Sequence, residues 1–275
     1  MQQTNAMQKL GKRIEWQTIE DLTKPLDELS DGLTNEDLHL WRIPMKLDAK
    51  QSALALDLLN DRQLEKYGRR KDRESKQAYL AGRYYLFLLI SQYEKLPLTE
   101  IELSYSRLNK PSLSNNPNNL QFNYTDTRIG QHSVGLFAFC KNAEVGVDLE
   151  ARTRQSQFSQ IAARRFSAAE LEYVTNEVTS KRKNETPESQ PMVDPERCLA
   201  IWTRKEAYGK AIGKGINFTM NERDLAPGVD PYELNFTDDD EKLWRLNQIE
   251  IGDDLIACVV HAGHQTLNLK GFNRN

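Results

Sequence analysis

Two short stretches carry the residues able to do chemistry. In Trp202 to Gly215, WTRKEAYGKAIGKG, Glu206 and Lys210 stand four residues apart in a helix-forming context, so a helix places both on one face. In Val145 to Glu150, VGVDLE, apolar Val145, Val147 and Leu149 alternate with Gly146, Asp148 and Glu150. That is the period of a half-buried strand, and it points Asp148 and Glu150 the same way. Two strand carboxylates, a helix carboxylate and a lysine one turn on would suit a hard divalent cation bound to substrate phosphates, because magnesium prefers oxygen ligands and keeps several waters. The chemistry expected is transfer of a phosphate-containing group, with Asp148, Glu150 and Glu206 as metal ligands and Lys210 on the phosphate.

The two stretches together resemble the signatures of the 4′-phosphopantetheinyl transferases of the surfactin type, G-V/I-D-x-E followed by W-T/S-x-K-E-A/S-x-x-K-x-x-G-x-G. The matching positions are Gly146, Val147, Asp148 and Glu150, then Trp202, Thr203, Lys205, Glu206, Ala207, Lys210, Gly213 and Gly215. Weaker echoes are Ala81-Gly82-Arg83, Asn109-Lys110-Pro111, Phe122 to Thr127 and Phe166-Ser167-Ala168-Ala169-Glu170. The resemblance implies transfer of the 4′-phosphopantetheine arm of coenzyme A to a serine of an acyl or peptidyl carrier protein, with release of adenosine 3′,5′-bisphosphate and with Mg²⁺ or Mn²⁺ as metal. It implies coenzyme A contacts from Lys110, Pro111, Thr125, the residue at 126 and Lys205, with Arg83 on an early helix. The alternative is a non-catalytic relative that binds coenzyme A or a carrier. Glu206 and Glu170 are the candidate bases for the serine proton. Glu206 is favoured, because Ser167-x-x-Glu170 also reads as a capping box that occupies Glu170.

One position departs from the pattern: Asp126 stands where the family has histidine. An ionised carboxylate beside a pyrophosphate repels it, so the local geometry must differ, another cation must answer, or coenzyme A is used less well. Arg128, two residues on, or the basic run Lys66, Arg69, Arg70, Lys71, Arg73 and Lys76 would supply such a cation, with Asp126 orienting it. The same run also fits a solvated helix face laced with Glu65, Asp72 and Glu74. From the residues alone Trp202 is a packing residue, and Lys110 an ordinary loop lysine.

Positioning these groups requires elements on both sides. Asp61 to Glu94 reads as one long helix or two end to end, and strands are expected at about 121–125, 133–139 and 145–150. The short turn 141–144 makes the last two an expected antiparallel hairpin. The motif helix should run from Pro195 to Ile212 with Gly213 as a left-handed cap. The stretch 225–240 reads as loop, followed by strands at 243–250, 254–261 and 266–270. The class is α+β, and the resemblance implies a pseudo-dimer of two α/β halves with the active site in the cleft between them. The expected division is a loosely ordered extension over 1–35, a coenzyme-A-binding half over 36–143 and a metal-bearing, catalytic half over 144–275.

With 37 basic residues against 40 acidic, the net charge of −3 argues against a surface built to wrap nucleic acid. Cys140, Cys198 and Cys258 are odd in number and far apart, which suggests neither a disulfide framework nor a zinc site and fits a reducing cytoplasm. No apolar run is long enough to span a bilayer. The four histidines, His39, His132, His261 and His264, lack metal-ligand spacing and read as surface residues. A cytoplasmic monomer is the expectation.

Overall fold

The computed structural model describes residues 11–24, 32–154, 161–162, 164–180, 193–214 and 223–274. Among the described residues, three helices before residue 95 start where a polar side chain takes up an orphan backbone N–H. Helix α1, Ala49–Asp57, opens on a capping box of Asp48 and Gln51, and α2, Asp61–Gly68, on one of Asn60 and Gln63. Helix α3, Arg73–Glu94, begins at Asp72, whose carboxylate accepts the Ser75 N–H. The stretch 61–94 is therefore two helices, broken at 69–72.

Among the described residues, eleven strands form two main sheets and a ribbon. The first sheet has the order β1-β11-β2-β6-β5, built from β1 (Trp16–Thr18), β2 (Asp37–Pro44), β5 (Leu120–Ile129), β6 (His132–Lys141) and β11 (Asn268–Asn273). The second has the order β7-β10-β9-β8, from β7 (Val145–Ala151), β8 (Glu233–Thr237), β9 (Leu243–Ile249) and β10 (Leu255–Ala262). Strands β3 (Leu103–Tyr105) and β4 (Pro111–Leu113) pair as a separate ribbon. Helices α4 (Ala168–Ser180) and α5 (Pro195–Ile212) follow later in the chain, and the described elements make an α+β fold.

Side-chain alternation sorts each central strand between two cores. In β2, Trp41 and Ile43 face α1–α3, whereas Leu38 and Leu40 enter the space between the sheets. In β6, Phe137 and Phe139 oppose Leu136 and Ala138 in the same way. From the second sheet, Val145, Val147, Leu149, Ala257 and Val259 meet them, while Ile256, Cys258 and Val260 turn to α5. The layers thus run helix, sheet, sheet, helix, and β7 and β10 are buried on both faces.

That layering corrects several expectations. Strand β7 is buried along its whole length rather than half-buried, because α5 covers the face that carries the carboxylates. The expected hairpin of β6 with β7 is absent: β6 already has β2 and β5 on its two edges, and Asn142, at φ 61°, turns the chain into the other sheet, where β7 pairs with β10. The hairpin is instead β5–β6, closed through Gly130 at φ 57°. Within 1–35, expected to be loosely attached, Trp16–Thr18 adds a parallel strand beside β11, and Ile19 and Leu22 are buried. The last strand, β11, leaves the C-terminal half to pair with β2. The 225–240 loop contains β8, an edge strand with only Leu234 and Phe236 turned toward a core. His39 and His261 are buried, and His132 and His264 are exposed as expected. The three cysteines are free and buried, and no described helix is long and apolar enough to cross a membrane.

Candidate functional site

Helix α5 starts at Asp194, whose carboxylate accepts the N–H groups of Glu196 and Arg197, carries Pro195 in its first turn and ends on Gly213 at φ 69°. Its position over β7 is set by Gly146. A Cβ there would lie 2.1 Å from the Ala207 carbonyl oxygen and 2.3 Å from the Ala211 nitrogen, so the helix backbone rests directly on the strand. Gly146, Asp148 and Glu150 share that face.

This contact brings strand and helix chemistry together. The Lys210 ammonium donates to Asp148 Oδ1 at 2.7 Å and to Thr125 Oγ1 at 2.9 Å, and the Thr125 hydroxyl donates to Asp148 Oδ1 at 3.3 Å. Asp148 is almost fully buried, and its Oδ2 has no hydrogen-bond partner among the described residues. Burial, reinforced by the Asp148 charge, pushes Glu150 up to about 7 and Glu206 up to about 6, although Arg154 donates to Glu150. Burial alone would lower Lys210, but Asp148, Glu206 and Glu150 outweigh it and hold the ammonium above the ordinary lysine range. As placed, no three His, Cys, Asp or Glu side chains among the described residues converge closely enough to chelate an ion. Lys210 engages only Oδ1 of Asp148 and leaves Oδ2 without a partner among the described residues.

A second group lies on the other side of β5. Gly82 of α3 approaches Tyr124 so closely that a Cβ would stand 2.9 Å from its ring, and the next residue, Arg83, sits over the rings of Tyr79 and Tyr124 at 5.3 and 5.4 Å. The Nε and Nη1 of Arg83 are buried without a hydrogen-bond partner among the described residues. They adjoin a cavity of about 300 Å³ lined by Arg83, Pro111, Asn123, Tyr124, Thr125 and Asp126. Arg70 covers Tyr79 at 4.8 Å. Crowding by protein raises the Asp126 carboxyl, against the pull of Arg70, Lys210 and Arg83. Because β5 alternates, Thr125 joins the Lys210 cluster and Asp126 the arginine side, so one strand links both groups. The edges of the two sheets meet here: Asn123 Oδ1 accepts the Val147 N–H at 3.1 Å.

Other predicted residues lie elsewhere. Glu170 caps its own helix through Ser167, as the S-x-x-E spacing suggested, and is fully buried. Its other oxygen accepts the Leu225 N–H and pairs with Lys205 at 2.8 Å. Lys205, also fully buried, donates to the Arg223 carbonyl. The Arg128 Nε donates to the Gly130 carbonyl and serves its own hairpin, whereas the arginines whose charge acts on Asp126 are Arg70 and Arg83. Lys110 Nζ donates to the Ala211 carbonyl. Trp202 is half-buried and packs against the core beneath α5, and Gly215 lies outside the described residues. Sequence reading missed the aromatic walls, Tyr79 and Tyr124. The spacing of Tyr79 and Arg83, one helical turn apart, was the available signal; the strand partner was not legible.

Residues 144–260 match the family model described as the 4′-phosphopantetheinyl transferase superfamily. The chain is 26% identical over 234 residues to the 4′-phosphopantetheinyl transferase HetI of Nostoc sp., spanning 84% of this chain and 90% of that protein. It is 26% identical to a phosphopantetheinyl transferase of Thraustochytrium sp. over 66% of this chain and 63% of that one. The matched region contains both the β7 carboxylates and the Glu206–Lys210 face, so the part of the chain that carries the site is the part similar to the 4′-phosphopantetheinyl transferase superfamily.

Proposed function

We propose that this transferase moves the 4′-phosphopantetheine arm of coenzyme A onto a serine hydroxyl of an acyl or peptidyl carrier domain and releases adenosine 3′,5′-bisphosphate. The observation that carries the reading is β5, which holds Thr125 in the carboxylate–lysine cluster and Asp126 at the arginine cavity. A long diphosphate ligand laid across this strand would meet Arg83 and Arg70 with one end and Lys210 with the other. The arginines bind and orient the nucleotide part, and the tyrosine rings exclude water around Arg83.

Asp148, Glu150 and Glu206 are the residues that would hold a divalent cation. The fit rests on the partnerless buried oxygen of Asp148 and on the burial, reinforced by the Asp148 charge, that raises the other two carboxyls. Bound there, Mg²⁺ or Mn²⁺ would neutralise charge on the pyrophosphate. In the transfer the serine oxygen forms a bond to the β-phosphorus while the bond from that phosphorus to the bridging oxygen breaks. Glu206, ionised at neutral pH with a pKa of about 6, takes the serine proton. Lys210 answers the charge that grows on the departing phosphate. Glu170, committed to Ser167, Leu225 and Lys205, has no part in this scheme.

We read the α3-bearing and α5-bearing sheets as the two related halves, with the transfer site at the β5–β7 seam, and the chain as a cytoplasmic monomer that does not act on nucleic acid. Incubation with coenzyme A, Mg²⁺ and an unmodified carrier protein should add about 340 Da to the carrier, the mass of the covalently attached arm. No gain with any fatty-acid, polyketide or peptide carrier, despite measurable coenzyme A binding, would leave a non-catalytic binder.

A further inference from the structure

We propose that Lys110 is a positioning residue that latches the C-terminal turn of α5, and with it Lys210, to the ribbon turn beside the coenzyme cavity. Its kinetic consequence rests on the function proposed above; its structural content does not.

The last carbonyls of a helix need partners from outside. In α5 the Gly213 N–H serves the carbonyls of Gly209 and Lys210, and the Lys214 N–H also serves Gly209. The Ala211 carbonyl is taken by Lys110 Nζ, a charged donor at the negative end of the helix. The lysine stem lies along Gly213, where a Cβ would stand 3.3 Å from Lys110 Cβ and 3.4 Å from Cδ. Gly213 thus has two reasons to be glycine: its left-handed φ and the passage of this side chain.

Lys110 itself is held firmly. Ser106 and Lys110 exchange backbone and side-chain hydrogen bonds at 2.9 and 3.0 Å, the Asn109 N–H donates to the Ser106 carbonyl at 2.9 Å, and Asn109 takes φ 73°. Pro111 then opens β4 opposite Tyr105, whose hydroxyl accepts from Gln63 of α2 at 2.7 Å. The same turn therefore touches the cavity through Pro111 and the helix end through Lys110. Ala211 directly follows Lys210, so slack in that turn moves the ammonium that contacts Thr125 and Asp148.

Lys110→Met keeps the stem and removes the ammonium. Amide hydrogen exchange at Gly213 and Lys214 should quicken in this variant by about tenfold or more, reporting local opening. With an active carrier, kcat should fall about tenfold while the coenzyme A dissociation constant stays within about twofold, because misplacement rather than lost binding is the defect. Lys110→Arg, with a charged donor restored, should recover slow exchange and most of kcat. Unchanged exchange in Lys110→Met would overturn the latch, as would a large loss of coenzyme A affinity with kcat intact, which would make Lys110 a coenzyme ligand. Exchange and calorimetric affinity need no turnover, so a wild-type protein that transfers nothing would refute the proposed function and still leave the latch tested.

Discussion

Lys210 and Arg83 are both cations beside β5, yet their surroundings assign them different work. Lys210 is hydrogen-bonded to Asp148 and Thr125, and in the proposed transfer it answers charge on the departing phosphate. Lys210→Met should lower kcat far more than it raises the coenzyme A dissociation constant, as read from single-turnover kinetics and calorimetry. Arg83 has buried guanidinium nitrogens with no protein partner among the described residues. Arg83→Met should weaken coenzyme A binding by about 1–3 kcal/mol, the value of a charge-assisted bond, with little change in kcat at saturation. If the two variants show the same kinetic split, the division of β5 into a reacting side and a binding side is wrong.

At the scale of elements, the site depends on how closely a helix can approach a strand. Gly146 lets the α5 backbone lie on β7, and the Ala207 oxygen would overlap any Cβ there at 2.1 Å. The colliding groups, the Ala207 oxygen and the Ala211 nitrogen, are backbone atoms of a largely buried helix, so they cannot rotate aside. Gly146→Ala should therefore cost about 1–3 kcal/mol of stability, the usual penalty of overpacking, and should reduce transfer more than that loss explains, because the helix moves away from Asp148. Chemical denaturation together with activity of the folded fraction measures both. Gly82 plays the matching part between α3 and Tyr124, but there the obstacle is a side-chain ring that can tilt, and Gly82→Ala should act mainly on coenzyme A affinity.

For the whole molecule, the joining of the chain ends to the first sheet creates a pH-sensitive point. His39 of β2 is fully buried, 5.0 Å from the Phe272 ring of β11, with Nδ1 2.9 Å from the Tyr93 hydroxyl, which also accepts from Trp41. Burial lowers its pKa from 6.5 to about 4, against the pull of Asp37. The unfolded chain thus binds the proton more readily than the native one, and stability from this group is complete above about pH 6.5 and lost as the pH falls toward 4. The loss should reach about 3 kcal/mol. Denaturant unfolding at several pH values should show that slope in the wild type and a flatter one in His39→Gln. An equal slope in both would place the acid sensitivity elsewhere.

What sequence alone determined about this protein is what local periodicity controls. The four-residue spacing of Glu206 and Lys210 and the alternation of Asp148 and Glu150 set which side chains share a face. Ser167 with Glu170 marked a helix start, and Gly213 marked the end of α5, because caps answer to backbone groups within a few residues. Tertiary structure decided whatever depends on partners far along the chain. Strand β6 has no local reason to reject β7; it does so because β2, nearly a hundred residues earlier in sequence, holds its other edge. Lys110 and Lys205 look alike as motif lysines, but one reaches a helix end and the other a buried glutamate. Arg128 is two residues from Asp126, yet it bends to its own turn, while the charge of Arg70 reaches Asp126 from the break between α2 and α3. Charge and hydrogen-bonding capacity are written in residue type, whereas the partner that satisfies them is chosen by which surfaces burial brings together.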